Sequence, residues 1–206
     1  HDYFFFSFHV WWLFFVSIAL GGLFFVLIQF ATKAGWSVVV RRIAENTALT
    51  IVLFSFFAIV MYLGAHSIYH HWMGKESFTD EILNSKRWYL NNQFFFLRTF
   101  FYLILFSAIA IFYSFYSRSQ DKNGSHAITY KLQTLSYPSL ILGGFAITFA
   151  AFDWIMSINP HWYSTIFGLY FFASCYVSFL AFLGVVCYFL RNHYTSFHAF
   201  NVEHFH

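Results

Sequence analysis

The chain has 206 residues, 60% of them hydrophobic and only 9% charged, with 33 Phe and a formal charge of +3. Globular domains carry about 25% charged residues, so a water-facing surface is excluded. The scattered Lys and Arg exclude a nucleic-acid-binding face, and the aromatic content excludes disorder.

What remains is an all-α integral membrane protein, since each helical crossing needs about 20 apolar residues. Continuous apolar runs predict about five transmembrane helices in a single domain over 1–206, at 9–32, 47–65, 93–116, 137–157 and 163–190. The first run has no basic flank and no small-residue cleavage site, so it reads as a span and not as a signal peptide. Lys33, Arg41 and Arg42 follow it.

The second run exits into His66, Ser67, Ile68, Tyr69, His70 and His71. The i,i+4 spacing of His66 and His70 puts both rings on one helix face if the helix continues. HxxxHH also occurs in membrane di-iron desaturases, which carry several such boxes. Here no second box exists, because His193, His198, His204 and His206 are spread through the tail. Interfacial histidines, or a quinol- or proton-handling pair, are therefore favoured over a metal site.

The third run carries Arg98 about five residues from its start, roughly 8 Å deep at the helical rise. Along it Ser107, Ala110, Ser114 and Ser117 form a small-residue stripe. In the fourth run Ser139, Gly143, Ala146, Ala150 and Asp153 form another. Such stripes allow close helix contact in lipid, where no hydrophobic force drives association. Trp11, Trp12, Trp88, Trp154 and Trp162 lie near span ends and read as interfacial anchors.

The stretch Phe152-Asp153-Trp154-Ile155-Met156-Ser157-Ile158-Asn159-Pro160-His161-Trp162 predicts a helix ending at Ser157 and a tight polar hairpin. Pro160 cannot continue the preceding helix, and Ser164 or Thr165 offers a cap for the next. That last run holds Cys175 and Cys187 as buried free thiols. No CxxCH and no Cys cluster is present, so the chain binds no haem, iron–sulfur or metal group of its own.

The Lys/Arg asymmetry sets the orientation. Lys33, Arg41, Arg42, Arg118, Lys122, Lys131 and Arg191 mark cytoplasmic segments, whereas Lys75, Lys86 and Arg87 are diluted by Glu76, Asp80 and Glu81 on the outer side. The N-terminus then lies outside, as expected for a fragment of a longer chain. On the outer leaflet this topology gathers His66, His70, Arg98, Asp153 and His161 as a candidate proton or quinol pathway, because ionisable groups within spans usually mark such routes. The structural alternative has Arg98 snorkelling to the interface and Asp153 bonding a neighbouring helix.

The hairpin stretch resembles the membrane subunits of bacterial alternative complex III, within the polysulfide-reductase (NrfD-like) membrane-subunit family, most of all the smaller, ActF-type subunits. Lys33-Ala34-Gly35-Trp36-Ser37 with Arg41-Arg42, the segment from His66 to Trp72, and Val202-Glu203-His204-Phe205-His206 add to the resemblance. It implies part of a larger helical bundle, supplying its second to sixth helices, in the bacterial inner membrane. The expected partners are a homologous quinol-oxidising membrane subunit and subunits carrying haem c and iron–sulfur clusters. Quinol is the expected reductant, and a proton path the expected contribution of this subunit. A stand-alone proton or ion transporter and a purely scaffolding subunit are the alternatives.

Overall fold

The structure, a computed structural model, describes residues 2–74 and 80–193. Lys75, Glu76, His198 and the Val202-Glu203-His204-Phe205-His206 segment lie outside the described residues. Five long helices carry the fold: α1 (Asp2–Ala31), α2 (Val38–Leu63), α6 (Asn92–Asn123), α7 (His126–Trp154) and α8 (Phe167–His193). Between α2 and α6 run the short helices α3 (Ala65–Ile68), α4 (His70–Met73) and α5 (Glu81–Lys86). No strand occurs among the described residues. The five long helices are long and apolar enough to cross a membrane. Their outward faces carry Phe56, Leu97, Phe100, Phe115 and Phe145, each more than half exposed, as a lipid-facing surface requires. The chain is an all-α, multi-pass membrane protein.

α1 is the axis of the bundle. It is apolar all round, the pattern of a helix enclosed by others, and every residue from Ala19 to Leu27 is buried. α2, α7 and α8 pack around it, with α6 closing the ring against α2 and α7. The closest approach is to α8. A Cβ added at Gly21 would lie 2.6 Å from Phe179 Cβ and 2.8 Å from the Cys175 carbonyl carbon, so only glycine fits. Cys175 at that seam and Cys187 about three turns further along α8 are free and buried. The α7 stripe behaves as its small residues predict: Gly143, Ala146, Ala150 and Asp153 are buried, and Gly143 faces the Phe24 ring of α1.

Several boundaries differ from the sequence reading. α2 begins at Val38 and not near 47, because its first turns neutralise their own charges. Arg42 pairs with Glu45 at 2.6 Å and with Asp121 of α6, and the Arg41 guanidinium lies 4.4 Å over the Phe30 ring. α7 likewise begins at His126 and runs through Pro138, its packing overriding the proline. α8 begins at Phe167, so 163–166 belongs to the hairpin. The loop before α2 opens with a C-terminal Schellman turn on α1. Lys33 adopts a left-handed φ of 56°, with Lys33 N bonded to Phe30 O at 3.2 Å and Ala34 N to Gln29 O at 3.0 Å.

Two of the expected interfacial tryptophans are core residues instead. Trp12 and Trp154 are fully buried and meet edge to face at 5.0 Å. Trp12 Nε1 donates to Phe54 O at 2.9 Å, which satisfies its polar atom inside the bundle. Trp11, Trp88 and Trp162 remain exposed.

Candidate functional site

The end of the bundle that holds the 155–166 hairpin is built around a helix that stops inside protein. α7 ends at Trp154, not Ser157, and passes into a single 3-10 turn, Met156–Ile158. A buried helix end leaves carbonyls that need donors, and side chains from distant segments supply them. Ser157 Oγ donates to Asp153 O. Tyr69 Oη donates to Trp154 O at 3.1 Å, and Trp72 Nε1 to Ser157 O at 3.0 Å. Lys86 Nζ donates to Pro160 O at 2.6 Å. His9 Nε2 lies 2.9 Å from Trp154 O, which places its proton on Nε2. His9 Nδ1, an acceptor in that tautomer, has no partner among the described residues.

Within this cage Asp153 is completely buried and held by Arg98 in a two-pronged pair. Arg98 Nε donates to Oδ2 at 2.7 Å and Nη2 to Oδ1 at 2.8 Å. Tyr102 Oη adds a third bond to Oδ2 at 3.0 Å. Arg98 Nη1 donates to Tyr89 O at 3.0 Å, and its guanidinium lies 3.8 Å from the Tyr89 ring centroid and 4.3 Å from that of Phe94. The planar fork matches a carboxylate in a way an ammonium does not. Arg98 therefore does not snorkel to the interface; its side chain is only 10% exposed. Burial, and then the Asp153 charge, push the Tyr89 phenol up, so it stays protonated.

Arg98 and Asp153 are in direct contact, and the histidines are not part of that contact. His66 and His70 are exposed and do not share one helix, because α3 ends at Ile68 and the chain breaks at Tyr69 before α4. The break buries Tyr69 so that it can reach Trp154 O. His70 Nδ1 stays local, 3.3 Å from Ser67 O. His161 pairs with Asp80 at 2.6 Å and not with Asp153. Desolvation nudges Asp80 upward, but the bonds from His161 and from the Leu83 and Ile82 amides outweigh it, so its pKa is held below the usual carboxylate value.

Tyr102 could have been found from the sequence, since it lies one turn after Arg98 on the same face. His9 and Tyr69 could not, because their partner is a backbone carbonyl far along the chain. Beside the pair lies a mostly apolar cavity of about 550 Å³, whose walls include Lys86, Tyr89, Phe152, Met156, His161 and Trp162. Tyr89 is the partition, with its ring over Arg98 and its side chain lining the cavity. Among the described residues no group of three or more His, Cys, Asp or Glu is placed to hold a metal ion. No family model and no curated protein matches the chain.

Proposed function

We propose that this chain is a membrane subunit of a bacterial respiratory quinol:electron-acceptor oxidoreductase of the alternative complex III kind. It sits in the inner membrane beside a homologous quinol-oxidising subunit and subunits carrying haem c and iron–sulfur clusters. The observation that carries this reading is the buried Arg98–Asp153–Tyr102 cluster next to an apolar cavity, in a chain whose motifs resemble that family. A charged pair within a membrane span usually serves a relay or ligand site. Here Asp153 is the protonatable element: a proton released by quinol oxidation adds to Oδ1 as Arg98 Nη2 leaves it, while Arg98 Nε and Tyr102 Oη stay on Oδ2.

Asp153→Asn keeps the size but removes titration and, because an amide nitrogen cannot accept, one prong of the Arg98 pair. Complexes that assemble with it are expected to lose quinol turnover, or its coupling to proton movement, by about 100-fold or more. Wild-type turnover with wild-type proton stoichiometry would overturn the relay role. One observation favours a scaffolding role as the second reading: the Asp153 carboxylate already accepts three hydrogen bonds and is fully enclosed. Under that reading Asp153→Asn keeps turnover and Asp153→Leu impairs assembly.

A further inference from the structure

The opposite end of the bundle holds a second polar site, which belongs to no part of the cluster above. A cavity of about 510 Å³ opens between the loop after α1, the first turns of α2 and the facing ends of α6 and α7. Glu45 lies in its wall at 2% exposure. Arg42 Nη1 holds Glu45 Oε2 at 2.6 Å, and Arg42 Nη2 reaches Asp121 Oδ2 at the surface. Glu45 Oε1 has no partner among the described residues, and neither have Gln29 Oε1 and Arg41 Nε, which line the same cavity. Buried acceptors and donors left unpaired are costly. A polar space this size has room for on the order of ten waters to pair them.

We propose that this end of the bundle is a water-filled vestibule in which Glu45 exchanges protons with the aqueous phase. The proton adds to Oε1, the oxygen Arg42 does not hold, from a hydronium ion that is left as water, and it departs by the reverse step. The charged groups around Glu45 in this cavity are Arg41 and Arg42 on α2, Lys33 on the loop and Asp121 on α6. His126 on α7 lines the cavity, and Gln29 on α1 and Ser117 on α6 contribute uncharged polar groups. The inference needs no electron-transfer partner, so it stands or falls separately from the oxidoreductase reading.

The test uses the full chain in lipid vesicles. Infrared difference spectra between alkaline and acidic buffer are expected to show a carboxylic-acid carbonyl band that shifts in heavy water, moves with isotope-labelled glutamate and disappears in Glu45→Gln. Thr129→Cys and Gln133→Cys, on the cavity wall, are expected to react with a charged, membrane-impermeant thiol reagent above the background of buried Cys175 and Cys187. If Glu45→Gln fails to fold, Glu45→Asp must move the band from the glutamate-labelled to the aspartate-labelled set. The absence of a titrating glutamate band, its survival in a folded Glu45→Gln variant, or the unreactivity of both introduced cysteines would each overturn the proposal.

Discussion

Removing both partners of the Arg98–Asp153 pair should cost far less than the sum of removing each. The pair is almost dry, with side chains 10% and 0% exposed, and it joins α6 to α7 in the last turn before the hairpin. Asp153→Leu leaves the guanidinium against Tyr89 and Phe94 with no counter-charge, which is expected to destabilise the fold by about 3–5 kcal/mol. Arg98→Leu leaves a buried carboxylate with only Tyr102 as donor and should cost a similar amount. The double variant Arg98→Leu/Asp153→Leu leaves only the Tyr102 hydroxyl and the Tyr89 carbonyl without their partners, a loss of roughly 1–3 kcal/mol each. The double-mutant cycle should therefore show a coupling of about 3 kcal/mol or more between the two residues. Reversible unfolding in mixed micelles, followed by tryptophan fluorescence, gives the free energies. Additive single-variant effects, or an Asp153→Leu protein as stable as wild type, would show that the pair does not hold the helices and would refute this account.

Two further outcomes are expected. Gly21→Val should destabilise the α1–α8 seam by about 1–3 kcal/mol through overpacking, while Gly144→Ala, with nothing within 4 Å of its added carbon, should be neutral; thermal unfolding of both variants checks this. Because Asp80 titrates lower in the folded chain than in the unfolded one, its tie to His161 and α5 is present above the ordinary carboxylate value. It is lost as pH falls through the lowered folded value. Protection factors at the Ile82 and Leu83 amides, corrected for the intrinsic exchange rate at each pH, should fall across that acid range in the wild type and lose this dependence in Asp80→Asn.

The sequence predicts the helix number, the fold class and the small-residue face of α7, because these depend on local hydropathy and on side-chain volume repeating at the helical period. It also directs Arg98 and Asp153 to one end of the bundle, since Lys and Arg placement and helix count fix which ends meet. Other features escaped that reasoning for a shared physical cause. Arg41, Arg42 and Glu45 look like loop residues until Asp121, far along the chain, completes their charge balance. Trp12 and Trp154 look like interface residues until each is seen to fill the other's contact surface. The His66–His70 spacing suggests one helix, but the demand of Trp154 O for a donor breaks it at Tyr69.

The end of α7 carries a consequence for how the chain is made. The Trp154 carbonyl at its end, and those of Ser157 and Pro160 in the turn and hairpin that follow, are bonded by His9, Tyr69, Trp72 and Lys86, all of which are synthesised earlier. When α7 enters the bilayer, the donors that complete it are already waiting, and the hairpin can close without exposing bare carbonyls to hydrocarbon. α1, by contrast, enters with its Gly21 face uncovered until α8, made three long helices later, arrives. A chaperone or insertase that shields helices during insertion would therefore be expected to hold α1 through the insertion of α2, α6 and α7 and to release it when α8 seats against it.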